Sequence, residues 1–126
     1  MADKPYREAV GDLLWIARVY RYDLQYSVNA CSRMSNNPGP KQWDTVCKIL
    51  RYLNHTREFK LAYHKSNPNA PVIGYTDSDF APNYGNFFDN YRSASGEIIG
   101  KYNSPLLWKS RRQPRVALSS AEAEYY

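Results

Sequence analysis

Leu118-Ser119-Ser120-Ala121-Glu122-Ala123-Glu124-Tyr125 is the stretch on which the fold turns. Ser119 or Ser120 can cap a helix, and Glu122 in the first turn suits the positive end of the helix dipole. About forty residues upstream lies a second acidic element, Tyr75-Thr76-Asp77-Ser78-Asp79-Phe80-Ala81. The short β-prone run Val72–Thr76 delivers Asp77 at its end. Between the two lie a polar, aromatic loop over Pro82–Asn90 and the Ser-rich turn Arg92-Ser93-Ala94-Ser95-Gly96. Two further strands follow, Ser95–Tyr102 and Leu106–Ser110, joined by a turn at Asn103-Ser104-Pro105. The second runs into a basic segment, Trp108 to Arg115. The order is therefore an acidic strand, a hairpin and an acidic helix start.

Upstream the period is helical. Tyr6, Val10, Leu13, Leu14 and Ala17 follow an i, i+4, i+7 stripe, and Leu24, Val28 and Cys31 continue it after a break near Tyr20–Asp23. Asn36-Asn37-Pro38-Gly39-Pro40 is turn punctuation. Trp43, Val46, Cys47, Leu50 and Leu53 form a third stripe. Trp15 and Trp43 read as packing anchors. Phe59, Leu61 and Tyr63 alternate with Lys60, Ala62 and His64, which predicts a strand. Ser66-Asn67-Pro68-Asn69-Ala70-Pro71 is the best internal boundary. It separates a helical region, residues 1–66, from a mixed region, residues 71–126.

Composition narrows the class. Of 126 residues, 43% are apolar, enough for a core, and twelve are tyrosine. Net charge is +5, and from Ile98 to Ala121 five basic residues meet no acidic one. Such a segment is either a solvated basic face or a contact for a polyanion. Cys31 and Cys47 lie on apolar helix faces and read as buried free thiols; His55 and His64 are isolated, so no zinc-type cluster is expected. The first residues lack a signal-peptide core, and no apolar run approaches a membrane span. These features lead us to expect a soluble, intracellular protein with no membrane partner. A nucleophilic serine is disfavoured because neither Ser119 nor Ser120 has a patterned histidine base. The six glycines are scattered, which excludes a phosphate-cradling loop.

The carboxylates suggest metal-assisted chemistry. Phosphodiester hydrolysis needs an activated water and a stabilised leaving oxygen, and paired Mg²⁺ ions held by acidic side chains supply both. A strand holding Asp77 beside a helix start holding Glu124 is part of such a cage. Asp77 and Asp79 are expected on opposite faces, so that one of them joins the site. Glu122 and Glu124, two apart on a helix, also diverge. The competing readings are a turn-forming aspartate and a solvated helix face. Trp108 could stack on a base, although core packing is the commoner fate of such a residue.

Tyr6-Arg7-Glu8-Ala9-Val10-Gly11-Asp12-Leu13-Leu14-Trp15 resembles the "YR-x-x-VG-x-LLY" run of Ty1/copia-type retrotransposon Pol polyproteins. Tyr22–Val28 is similar to "RPDI-x-YAV", with tyrosine where proline is usual. Ser32-Arg33-Met34, Asn37-Pro38, Trp43 and Ile49–Leu53 resemble "SRF…NP…HW…VLRYL". Gly74–Ala81 looks like "GYSDADWA", with Phe80 for tryptophan, and Arg92–Gly96 looks like "RKSTSG". Trp108–Pro114 with Val116–Tyr125 is similar to "WSSKKQP-x-VALSSTEAEY". The matches run in order from Tyr6 to Tyr125.

The resemblance implies an α+β chain. Residues 1–66 correspond to the tail of the reverse transcriptase and its connection region. Residues 71–126 correspond to the first part of a ribonuclease H-like domain: an incomplete, antiparallel three-stranded meander and the start of a helix. The parent activities are RNA-directed DNA polymerase and cleavage of the RNA strand of RNA–DNA hybrids. By this resemblance Asp77 is a catalytic Mg²⁺ ligand, as is Glu124, with Glu122 as the alternative register; Asp79 carries over without a role. Lys109, Arg111, Arg112 and Arg115 are the candidate phosphate contacts. The implied partners are the hybrid and the upstream polymerase region, in a cytoplasmic virus-like particle or the nucleus. The polymerase's acidic motif and two of four ribonuclease H carboxylates have no counterpart here, so the 126-residue chain is expected to be inactive. The alternatives are a non-catalytic nucleic-acid-binding module and a decayed relic.

Overall fold

A computed structural model describes residues 4–64, 68–80 and 91–126. The expected loop over 82–90, Ala81 of the acidic motif, Ser66 and Asn67 of the boundary, and the first three residues lie outside the described residues. The chain is α+β and divides into two compact units, Met1–Leu61 and Ala62–Tyr126.

The first unit holds α1 (Tyr6–Val19), a 3-10 turn (Tyr22–Leu24), α2 (Gln25–Arg33) and α3 (Pro40–His55). Each helix buries one stripe, as its period dictates. Tyr6, Val10, Leu13 and Ala17 of α1 meet Leu24, Val28 and Cys31, and Val46 and Ile49 of α3 complete the core. The Tyr6 hydroxyl donates to the Cys31 carbonyl at 2.9 Å, so this buried phenol has a partner. At the start of α3, Pro40 takes a position where its missing N–H is harmless, and the Gln42 side chain accepts from the Gly39 N–H at 3.0 Å.

Two details of the helical reading change. Ile49 lies inside, and Leu50, placed on the stripe from sequence, is 43% exposed. Trp43 packs against the core, whereas Trp15 is 64% exposed and anchors nothing there. Trp15 lies two positions beyond Leu13, about 200° around the helix and so on its solvent side. Both cysteines are free; Cys31 is buried and Cys47 half-buried.

The second unit is an antiparallel sheet in the order β1 (Ile73–Asp79), β2 (Ala94–Lys101), β3 (Ser104–Arg112), followed by α4 (Ser120–Tyr125). Asp77 pairs with Gly96 across β1 and β2, and Gly96 with Ser110 across β2 and β3. The hairpin turn is Tyr102-Asn103, both with positive φ (56° and 58°), rather than Asn103-Ser104-Pro105. Two consecutive left-handed residues match the twist of the flanking strands. Pro105 then falls inside β3, at a register shift opposite Ile99/Gly100. The irregularity accommodates a residue that cannot donate to a ladder.

The predicted strand over Phe59–His64 does not form. Phe59 closes a turn by donating its N–H to the Thr56 carbonyl at 3.0 Å. The Phe59 ring lies 5.5 Å from the Arg21 guanidinium in the first unit. Ala62 and Tyr63 belong to the second unit, held by side chains: Ser104 Oγ donates to the Ala62 carbonyl, and the Tyr63 hydroxyl donates to the Pro105 carbonyl at 2.6 Å. The alternating residues thus serve two different units rather than one sheet face.

Candidate functional site

Strand β1 extends through Asp79, so Asp77 lies inside the strand instead of at its end. Side chains alternate with a period of two, which puts Asp77 and Asp79 on one face and Thr76 and Ser78 on the other. The expectation that the two aspartates face apart is therefore corrected. The Asp77 carboxylate accepts the Ser78 N–H at 2.9 Å and is otherwise exposed.

The terminal helix is fixed by local chemistry. Ser119 is its cap, with Oγ accepting the Glu122 N–H at 3.2 Å. The Glu122 carboxylate reaches back to accept the Leu118 N–H at 2.7 Å and takes the Tyr126 hydroxyl at 3.2 Å. This is capping-box logic, in which one carboxylate is committed to the backbone. Glu124 carries no such duty and is exposed.

Gln113 ties the helix to the sheet. It is 3% exposed, and its side-chain amide donates to Ser95 Oγ at 2.8 Å and to the Ala123 carbonyl at 2.7 Å. Its own N–H donates to the Ser93 carbonyl at 2.8 Å, prolonging the β2–β3 ladder. Sequence reasoning gave Gln113 no role; the signal was a neutral amide set between Arg112 and Pro114 in an otherwise basic run.

The result is a depression of about 230 Å³ lined by Thr76, Asp77 and Ser78 of β1, Ser95, Gly96 and Glu97 of β2, and Ala123, Glu124, Tyr125 and Tyr126. Asp77 and Glu124, 47 positions apart in the sequence, thus border one concavity. Ser78 Oγ is buried without a hydrogen-bond partner among the described residues. Glu97 is shared with Arg111 at 3.5 Å.

Asp77, Glu97 and Glu124 bring carboxylates, the hard oxygen ligands Mg²⁺ prefers, but Glu97 is paired with Arg111, which leaves two. Among the described residues no three Asp, Glu, His or Cys side chains form a group able to hold a metal ion. The donor chemistry fits, but the number of donors falls short of a two-ion site.

The basic candidates do not form one patch. Lys109 and Arg111 share the sheet face of Glu97 and Ser95, and Arg112 alternates to the other face. Arg115 follows the end of β3 and is exposed.

The first unit contains a second polar construction that sequence reasoning missed. The Arg21 side chain is 4% exposed and binds both oxygens of Asp23, at 3.0 and 2.8 Å. It also donates to Thr56 Oγ1 at 2.6 Å and to the Thr56 carbonyl at 3.2 Å. The Tyr52 hydroxyl donates to Asp23 at 2.9 Å. Hydrogen bonding from Arg21 lowers the Asp23 carboxyl below its usual range, and hydrogen bonding to Asp23 raises the Tyr52 phenol. The visible trace was the Arg21-x-Asp23 spacing.

A small sheet with a capped acidic helix, joined in sequence to a three-helix unit, defines an α+β protein with a paired-carboxylate concavity. Its relatives give it a family. The chain is 38% identical over 99% of its length to the Retrovirus-related Pol polyprotein from transposon TNT 1-94 of Nicotiana tabacum, covering 9% of that protein. It is 34% identical over 99% of its length to the Secreted RxLR effector protein 161 of Plasmopara viticola, covering 84% of it. It is 31% identical over 96% of its length to a putative transposon Ty5-1 protein of Saccharomyces cerevisiae, covering 38% of that protein. The chain belongs to the retrotransposon Pol-related family that these matches define, and it corresponds to about a tenth of the tobacco polyprotein. No protein-family model matches the chain, and no solved structure matches it significantly.

Proposed function

We propose that residues 71–126 are the first part of a ribonuclease H-like nuclease region and that residues 1–66 are the tail of the reverse transcriptase. The observation that carries this reading is the concavity bordered by Asp77 and Glu124, with Glu122 withdrawn into the helix cap. In this reading Asp77 and Glu124 are the Mg²⁺ ligands. The ion, when bound, supplies an activated water and charge for the leaving oxygen. Of the basic candidates, Lys109 and Arg111 on one sheet face would hold phosphates of an RNA–DNA hybrid, whereas Arg112 on the other face and Arg115 beyond the strand would not share that contact. The remaining partner would be the polymerase region of the same polyprotein, in a cytoplasmic particle or the nucleus. Because Glu97 is paired with Arg111 and the two remaining carboxylates are too few, the 126-residue chain binds a divalent ion weakly and does not complete hydrolysis.

The test is a titration with paramagnetic Mn²⁺ followed by NMR. We expect selective broadening of the Asp77, Ser78 and Glu124 signals, competed by Mg²⁺ and abolished by Asp77→Asn. Uniform broadening, or none at these residues, would overturn the assignment.

A second reading is a non-catalytic nucleic-acid-binding module, and charge placement favours it. Residues 1–61 carry ten Lys and Arg against six Asp and Glu, a net of +4 out of +5. Binding of this kind falls steeply with salt. Retention on a duplex that does not change with salt would exclude it.

A further inference from the structure

The first unit has a cleft of about 430 Å³ that the carboxylate site does not use. Tyr20, Tyr22, Tyr52 and Phe59 line it, with the cations Arg21 and Lys60 and the carboxylates Asp23 and Glu58; Glu58 lies 3.8 Å from Arg57. The volume of the cleft falls within the range of about 300–1,000 Å³ occupied by small-molecule pockets. The rings face it while remaining open to solvent: Tyr20, Tyr22 and Tyr52 are each 42% exposed and Phe59 is 61% exposed. Four large rings left partly wet around one concavity mark a surface built to receive something.

The wall of the cleft is rigid. Asp23 and Thr56 fix the Arg21 guanidinium, which lies 5.5 Å from the centroids of both Tyr52 and Phe59. Asp23 neutralises that cation, and Arg21 has its donors committed, so it acts as a strut more than as a ligand. Lys60 is exposed at the rim and is free of any ion pair among those found in the described residues. The surrounding unit carries four of the five net positive charges. With Asp23 offset by Arg21 and Glu58 beside Arg57, Lys60 is the cation left at the rim, and partly exposed rings beside it suit a planar base attached to a phosphate.

We propose that this cleft binds single-stranded nucleic acid, stacking an unpaired base on the Tyr22 and Phe59 rings while Lys60 meets the adjoining phosphate. A duplex hides its base faces and is not accepted. The proposal deepens the nucleic-acid-binding reading but rests on the helical unit alone, independent of Asp77 and Glu124.

The experiment titrates the ¹⁵N-labelled chain with a single-stranded oligothymidylate of eight residues and with an abasic strand of equal length. The expected result is shift changes clustered at Tyr20, Tyr22, Tyr52 and Phe59, and binding of the base-bearing strand at least about 5-fold tighter than of the abasic one. Phe59→Ala and Tyr22→Leu should each weaken binding about 5- to 100-fold. Circular dichroism verifies folding, and the two variants report independently should one fail to fold. Lys60→Gln should reduce the salt dependence and retain the preference for bases. Asp77→Asn should change nothing, which separates this test from that of the metal site. Equal binding of the abasic strand would overturn the proposal. So would ring shifts produced by raising the chain concentration but not by the oligonucleotide, because the cleft would then be a contact between copies.

Discussion

Tyr6 shows what a single buried hydroxyl contributes. It is 2% exposed, and burial, reinforced by Cys31, pushes its phenol up to about 12. The folded state therefore holds the proton more tightly than the unfolded chain does. This contribution is fully present below the ordinary tyrosine value of 10.0 and is lost as pH rises from there toward 12. Tyr6→Phe should cost about 1 kcal/mol at neutral pH through the lost bond to Cys31, and should flatten the alkaline limb of a melting profile. Asp23 has the opposite sign. Its carboxyl is depressed by Arg21, so its contribution is present above 3.8 and fades as pH falls through the lower folded value. Arg21→Met leaves Asp23 without its main partner and should cost about 3 kcal/mol, with a weaker acid dependence in thermal melts. Tyr6 was legible as the first position of an apolar stripe. The Arg21 network was not, because Thr56 and Tyr52 reach it only once α3 has packed.

At the scale of elements, local rules carried most of the reading and failed at identifiable points. The three helical stripes lie within α1, the Leu24–Arg33 segment and α3, because side chains recur every 3.6 residues regardless of context. Phe59–His64 has a good strand pattern yet forms none, since a strand needs a ladder partner and its residues were taken by two units. The hairpin turn moved because Tyr102, a bulky residue, takes a left-handed conformation that its sequence does not advertise. Gly100 is the position that allows this hairpin to close. A Cβ there would lie 2.8 Å from the Ser104 carbonyl oxygen and 3.8 Å from the Pro105 Cα. Since backbone atoms cannot give way as a side-chain tip can, Gly100→Ala should destabilise the second unit by about 1–3 kcal/mol. Thermal melting with amide exchange on β2 and β3 checks this; unchanged protection there would contradict it.

Considered whole, the chain shares its acidic residues evenly and concentrates its basic ones in the helical half. Residues 1–61 hold most of the net positive charge, whereas residues 62–126, with seven basic and six acidic residues, are nearly balanced. The basic stretch noticed in sequence, Ile98 to Ala121, is partly offset within its own sheet by Glu97 on Arg111. Because the concavity has too few free carboxylates for a two-ion site, the 126-residue chain should show no Mg²⁺-dependent cleavage of a labelled RNA–DNA hybrid. Cleavage that Asp77→Asn abolishes would mean that two carboxylates suffice.

The sequence by itself determined the family, the helical stripes, the cap at Ser119 and the two acidic elements, because each depends on residue types at short fixed spacing. Tertiary structure alone decided two things. It gathered Asp77 and Glu124 around one concavity, and it built the Arg21 strut between distant helices. Those outcomes depend on which surfaces meet after folding, and spacing along a chain does not encode that.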